Sequence, residues 1–282
     1  MNSETKVICL IGHPIKQSFS PIIHNYLFEK YNLNNIYVCF DVKENLDDTV
    51  KSIKNLGILG CNITIPYKVD IIDKIDKIDL VDEYAKLIGS INTIKNEDGI
   101  LKGYNTDGIG FLKSIKDSGY NICDKRVLVI GAGGASRSIC IELAKNNIGY
   151  LKIVNRTKKN AQSIYEIIKN NFDIDVEYTD KIIDDKTLED IDIIINTTSL
   201  GMGNDLSPID KKVIPKSNTL LCDIVYKPHN TELIKWAKSN NLEIIYGIDM
   251  LINQAFEAFY IWTGIYPSNE DFKFIKEIYN KY

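Results

Sequence analysis

Three stretches of this 282-residue chain carry polar side chains where a packed interior would want apolar ones. The first is Lys16-Gln17-Ser18-Phe19-Ser20-Pro21, two hydroxyls one residue apart. Read by itself it is a helix start, with Ser20 as N-cap ahead of a first-turn proline. The second is Asn62-Ile63-Thr64-Ile65-Pro66-Tyr67-Lys68. Asn62 and Thr64 fall on one face of a strand that is otherwise apolar, so their polarity requires partners. The third is Asn92 together with Tyr104-Asn105-Thr106-Asp107-Gly108. Lys68 and Asp107 add a cation and a carboxylate to these hydroxyls and amides. A lysine so placed can give a proton to an oxygen and take it back; the plainer alternative is a surface salt bridge.

A fourth signal is main-chain chemistry. Val127-Leu128-Val129-Ile130 leads into Gly131-Ala132-Gly133-Gly134-Ala135-Ser136-Arg137: a buried strand, a glycine-rich turn, then a helix. Glycines let the backbone approach a pyrophosphate at the positive end of the following helix. Ser136 replaces the third glycine of the usual fingerprint, so an ordinary strand-to-helix turn stays an alternative. The next strand ends in Val154-Asn155-Arg156-Thr157-Lys158-Lys159. An acid roughly 20 residues after the turn would bind the ribose hydroxyls of NAD. Donors stand there instead, and a guanidinium with hydroxyl neighbours suits a 2′-phosphate, so the expected cofactor is NADP.

Positioning these groups requires an α/β scaffold. Strands are expected at 6–11, 36–42, 60–65, 126–130, 150–154, 191–196, 219–224 and 243–246, with a hairpin over 90–104 turning at 96–99. Helices are expected at 20–31, 47–56, 67–75, 80–87, 108–118 and 136–146, and a helical region from Met250 onward. This alternation predicts a largely parallel sheet in each of two parts. The length agrees with two domains. Charge is nearly balanced, with 34 basic and 38 acidic residues, which excludes a dedicated nucleic-acid binder. No apolar run reaches bilayer length, and the first residues predict no signal peptide, so a cytoplasmic protein is expected. Six scattered cysteines read as reduced core thiols, and three histidines without ligand spacing predict no metal. Neither a heptad nor a self-complementary patch fixes the oligomeric state, and a homodimer stays open.

Taken together, SxS, NxTxPxK, GxxNT, GYNTDGxG, GxGGAS, NRT, DxVYxP and GxxMLxxQ run in order from Ser18 to Gln254. In these motifs the chain resembles the shikimate dehydrogenase family. The resemblance implies an N-terminal substrate domain over 1–107, a Rossmann NADP-binding domain over 108–246, and helices over 247–282 returning to the first. It implies NADPH-dependent reduction of 3-dehydroshikimate to shikimate, with Lys68 and Asp107 as the catalytic pair. Ser18, Ser20, Thr64, Asn92, Tyr226 and Gln254 would line the substrate pocket, supported by Asn62. Gly131, Ala132, Gly133, Gly134, Ala135 and Ser136 would hold the pyrophosphate, and Asn155, Arg156, Thr157 and Lys158 the 2′-phosphate. Thr198, Ile224, Gly247 and Met250 would border the nicotinamide. Serine hydroxyls can donate to the substrate carboxylate without the desolvation cost of a buried arginine. Three alternatives stand beside this: an enzyme that also takes quinate, a methylenetetrahydrofolate dehydrogenase-like protein, and a non-catalytic NADP sensor. Paired serines favour shikimate over quinate, and nothing announces an aromatic pocket for a pterin.

Overall fold

In the computed structural model, which describes residues 1–72 and 78–282, the short apolar runs become strands and the amphipathic stretches helices. The chain forms two units, Met1–Gly110 with Ile252–Tyr282, and Phe111–Leu251. The first unit holds, in chain order, β1 (Lys6–Gly12), α1 (Ser20–Lys30), β2 (Asn35–Asp41), α2 (Leu46–Asn55), β3 (Gly60–Ile63) and α3 (Tyr67–Asp70). It continues with β4 (Leu80–Val81), α4 (Glu83–Ile88), β5 (Thr93–Glu97), β6 (Ile100–Tyr104) and the start of α5 (Asp107–Asp117). Its sheet order is β2-β1-β3-β5-β6-β4. β1 pairs parallel with β2 and β3, whereas β5 runs antiparallel to β3 and β6. Val50 and Ile53 of α2 pack with Tyr67 and Ile71 in one core of this unit. His24 and Phe28 of α1 instead make an aromatic cluster with Tyr37, Phe259 and Trp262.

The second unit contains β7 (Arg126–Ile130), α6 (Gly134–Lys145), β8 (Tyr150–Val154), α7 (Lys158–Asn171), β9 (Asp175–Thr179) and α8 (Asp185–Leu188). β10 (Ile193–Asn196), β11 (Leu220–Asp223), α9 (Glu232–Ser239) and β12 (Glu243–Tyr246) complete it. Every pairing is parallel and the order is β12-β11-β10-β7-β8-β9, the doubly wound arrangement of a dinucleotide-binding fold. Strands covered on both faces must be apolar throughout, which explains the isoleucine run of β10. The chain crosses between the units within α5 and α10 (Gly247–Thr263) and ends in α11 (Asn269–Lys281).

Several expectations change. Residues 80–87 are not one helix: Leu80–Val81 pairs with Lys102–Gly103 of β6. Asp82 then caps α4 by accepting from the amides of Tyr84 and Ala85. The helix expected over 67–75 stops at Asp70 as α3, and 73–77 lie outside the described residues. The hairpin turn tightens to Asp98-Gly99, both at positive φ (52° and 89°), as a two-residue turn between twisted strands requires. Ser20 does not cap α1, because Phe19 holds the cap position without a side-chain bond and Ser20 is already helical. β3 ends at Ile63, so Thr64 lies past the strand and not along its face. The sequence reading did not anticipate α7, β9, α8 or α9. Among the described residues, no helix is long and apolar enough to cross a membrane, and no cluster of His, Cys, Asp and Glu could hold a metal ion.

Candidate functional site

At the carboxyl end of β1 the chain squeezes between strand ends. A Cβ on Gly12 would stand 2.3 Å from Thr64 Cγ2 and 2.8 Å from the Ile65 carbonyl, so only glycine fits. Main-chain bonds from His13 N to Ile65 O and from Thr64 N to Ile11 O stitch this corner together. The following loop carries Ser18, half-buried, and leads to Ser20, buried at the start of α1, with the Ser20 amide donating to Ser18 Oγ at 3.3 Å. Their spacer Phe19 is 1% exposed. The hydroxyl-bearing loop is thus anchored by the residue between its two serines.

Lys68 sits on α3, directly after the β3 corner, and its carbonyl accepts from Ile91 N at 2.9 Å. Its ammonium donates to Asp107 Oδ2 at 2.6 Å, with side-chain exposures of 18% and 4%. This is not the surface salt bridge of the plainer reading. Asp107 opens α5, where an acid favours the helix dipole, and its amide donates to Asn105 Oδ1. Asn92 holds the other carboxylate oxygen: its Nδ2 donates to Asp107 Oδ1 at 2.8 Å and to Thr106 Oγ1 at 2.9 Å. Both amide hydrogens are therefore engaged, and a substrate contact would have to displace one. Gln254 on α10 is buried against Gly110, one turn after Asp107, where a Cβ would come within 2.4 Å of the Gln254 amide.

The first unit brings Ser18, Ser20, Thr64, Lys68, Asn92, Asp107 and Gln254 onto neighbouring corners of one fold. Asn62 is different. It is buried, accepts from the Tyr37 hydroxyl, and donates to the Asn92 carbonyl and Thr93 Oγ1, so its polar atoms serve protein partners. Tyr37 was not singled out from sequence, and Thr93 and Thr106, though within the GxxNT and GYNTDGxG motifs, were given no role.

In the second unit, the expected cofactor residues lie just past the carboxyl ends of five adjacent parallel strands. Gly131 follows β7, Asn155 β8, Thr198 β10, Ile224 β11 and Gly247 β12. Gly131 has φ of 110°, and a Cβ there would meet Thr197 Oγ1 at 2.4 Å. Gly133 caps α6 with no side-chain bond, and a Cβ on it would meet nothing within 4 Å. Free helix-start amides beside open space form a cradle suited to a pyrophosphate. Ser136 is not part of its surface: fully buried, it donates to the Gly131 carbonyl at 2.7 Å and braces the turn.

Arg156, Thr157 and Lys158 are exposed, with Lys158 lying 5.8 Å over the Tyr178 ring. Asn155 ties the loop by donating to the Thr157 carbonyl at 2.8 Å. No carboxylate occupies the strand end, so the residues present fit a 2′-phosphorylated dinucleotide. Asn196, unnoticed in the sequence, and Asp223, to which the DxVYxP motif gave no role, tie the ends of β10 and β11 together. Asn196 accepts from Thr198 and donates to Asp223, whose other oxygen takes the Thr231 hydroxyl at 2.7 Å. Burial pushes the Asp223 carboxyl above its ordinary range. Gly247 is required because a Cβ would stand 2.4 Å from the Ile224 carbonyl. Tyr226, half-buried, and Met250, buried, belong to the same unit.

Comparison with known proteins agrees with this layout. Residues 10–94 match the shikimate dehydrogenase substrate binding domain, 113–225 the shikimate / quinate 5-dehydrogenase model, and 247–271 the shikimate 5'-dehydrogenase C-terminal domain. A curated relative from Caldanaerobacter subterraneus subsp. tengcongensis, named shikimate dehydrogenase (NADP(+)), is 43% identical over 94% of each chain. The chain belongs to the shikimate dehydrogenase family. Among solved structures, shikimate 5-dehydrogenase from Listeria monocytogenes, in complex with shikimate and NAD, superposes with a TM-score of 0.88 at 31% identity, covering 99% of this chain and 97% of that one. The ligand-free 5-ketofructose reductase of a Gluconobacter strain reaches 0.86 at 30% identity, covering 98% and 100%. The scaffold therefore occurs in proteins named for more than one activity, and the side chains must discriminate between them.

Proposed function

We propose that this chain is a shikimate dehydrogenase that reversibly reduces 3-dehydroshikimate with NADPH, in the cytoplasm, the first unit serving the substrate and the second the cofactor. The observation that carries the catalytic part of this reading is the half-buried Lys68–Asp107 pair at 2.6 Å, clamped from behind by Asn92. The bound nicotinamide supplies the hydride in one direction and accepts it in the other. Lys68 gives the proton to the substrate oxygen during reduction and recovers it during oxidation. Asp107 aims that ammonium through Oδ2 and is kept from rotating by Asn92 on Oδ1. Ser18 and Ser20 donate to the substrate carboxylate, with Thr64, Tyr226 and Gln254 orienting the ring. Gly131 to Ala135 receive the pyrophosphate and Asn155 to Lys158 the 2′-phosphate, while Thr198, Ile224, Gly247 and Met250 border the nicotinamide.

A second reading, an enzyme that also accepts quinate, is favoured by the shared description of the central family match. The paired serines argue for the narrower activity. The deciding assay follows absorbance of the reduced nicotinamide with shikimate or quinate against NADP or NAD. Fast reduction of NADP by shikimate alone is expected. Equal rates with quinate would establish the broader enzyme, and silence in all four combinations would leave a sensor.

A further inference from the structure

Behind Asn92 the hydrogen bonds continue into the interior of the first unit, and two main-chain groups fix their direction. The Thr106 amide can only donate, so the Asn92 atom it meets at 2.9 Å is the carbonyl Oδ1. That leaves the Asn92 amino group for Asp107. The Asn92 main-chain carbonyl can only accept, so the Asn62 atom 3.2 Å away is Nδ2. Asn62 Oδ1 must then accept, and the Tyr37 hydroxyl donates to it at 2.7 Å. Thr93 closes the gap, accepting from Asn62 Nδ2 at 3.1 Å and donating to Asn92 Oδ1 at 2.9 Å.

Every donor therefore runs one way, from the phenol through Asn62, Thr93 and Asn92 to the carboxylate. The Tyr37 ring is itself aimed, stacked on His24 at 4.5 Å between centroids. Tyr37, Asn62, Thr93 and Asn92 are all at most 6% exposed. Turning either amide over would set acceptor against acceptor among buried groups, where a mismatch costs most. A network needed only to hold strands together has no reason to end on the carboxylate that grips Lys68.

We propose that Tyr37, Asn62 and Thr93 are positioning residues, whose one-way relay fixes the Asn92 amide and thereby the carboxylate orientation that presents Asp107 to Lys68. Asn62, expected to support the substrate pocket, does so here through Asn92 and Thr93. The inference rests on the dehydrogenase reading for its assay but not for its geometry. Its test measures kcat and KM for shikimate and for NADP, with melting temperatures, in Tyr37→Phe, Thr93→Val and Thr93→Ser. Valine keeps the shape of threonine without its hydroxyl, whereas serine keeps the hydroxyl.

Tyr37→Phe and Thr93→Val should each lower kcat by about tenfold, the effect of one buried hydrogen bond lost, while KM for NADP stays within about twofold. Thr93→Ser should restore most of that loss. A purely structural role would lower the melting temperature of all three and leave the kcat-to-KM pattern of wild type, and that result would overturn the proposal. So would equal kcat losses in Thr93→Val and Thr93→Ser. Should Tyr37→Phe fail to fold, the threonine pair decides alone. An inert wild-type protein would sink the dehydrogenase reading, whereas active wild type with unaltered variants would sink only the relay.

Discussion

The two units present their chemistry by different means. In the second, β7 is apolar after Arg126, β10 and β11 are apolar until their last residues, and the expected pyrophosphate contacts are main-chain groups past a strand end. In the first, Asn62 and Thr93 are polar side chains within the sheet, with Asn92 beside them. The difference follows from what each must hold. A pyrophosphate is satisfied by amides at a helix start, which any glycine turn can bare. A group that exchanges a proton has to be ionisable, and a half-buried ion pair needs neighbours that satisfy its remaining sites. The catalytic half therefore runs polar side chains back into its sheet behind the ion pair, whereas the cofactor half keeps its buried network of Asn196, Asp223 and Thr231 at strand ends and the start of α9.

The largest expected effect tests that division directly. Lys68→Met keeps the length of the side chain and removes the ammonium. Turnover should fall by about 10²–10⁴-fold, the range of a general acid, with NADP affinity unchanged because the cofactor elements belong to the other unit. Steady-state kinetics with a cofactor titration checks both. Near-normal kcat with a raised KM for shikimate would reduce Lys68 to a substrate anchor and erase the distinction.

The cost of an interior with polar groups shows at His24. Neither ring nitrogen has a hydrogen-bond partner among the described residues, and burial lowers the pKa to about 3. An unfolded histidine titrates near 6.5, so on acidification the unfolded chain takes the proton first. Stability from this site is intact above about pH 6.5 and falls by about 1.4 kcal/mol per unit toward pH 3. His24→Phe should flatten urea-unfolding stability between pH 7 and pH 4.5 by about 2–3 kcal/mol relative to wild type. A parallel loss in both proteins would place the acid sensitivity elsewhere. Asp223 in the second unit has the opposite sign, since a carboxyl raised by burial favours the folded state as pH falls.

How much could be read from sequence follows the same division. Strands 126–130, 150–154 and 243–246 were expected at their observed bounds, and the glycine turn was visible because its signal is local. The two-residue strand Leu80–Val81 was not, since nothing in a dipeptide announces that it pairs with β6 some twenty residues on. Tyr37 was invisible for a related reason. An aromatic in a strand is core by default, and its bond to Asn62 spans 25 positions. Family likeness supplied candidate residues but not their hydrogen bonds. It put Ser136 on the cofactor, where the structure has it bracing the turn, and gave Asn62 a supporting place without naming Tyr37 and Thr93 as its partners.

A smaller effect sharpens the cofactor side. Arg156 is exposed and no ion pair holds it among the described residues. A charge-assisted bond to the 2′-phosphate is worth about 1.5–3 kcal/mol, so Arg156→Ala should raise KM for NADP by about 10–100-fold. KM for NAD and for shikimate should not move. An equal change with both dinucleotides would mean that the arginine serves the loop and not the phosphate.

The smallest effect asks whether the catalytic half needs support from far along its own chain. Phe19, between the two serines, meets Tyr279 in the last turn of α11 edge-on at 5.4 Å and Tyr282 at its end at 5.5 Å. That helix is fixed by Asp271, which caps it with Ser268 and accepts from Tyr26, Lys30 and Tyr31 of α1 and its end. Burial opposes ionisation of Asp271, but the bonds from Lys30, Tyr31 and Ser268 outweigh it and hold its pKa at about 2. The clasp therefore persists at any pH where turnover would be measured. An aromatic pair contributes about 0.5–1.5 kcal/mol, so Tyr279→Ala should raise KM for shikimate by about 2–10-fold, with kcat and KM for NADP unchanged. Loss of kcat instead would show that the serine loop and the proton-transfer pair move together. In that case the first unit is a single polar assembly from α11 to Lys68, and its contrast with the modular cofactor half is greater than the hydrogen bonds alone indicate.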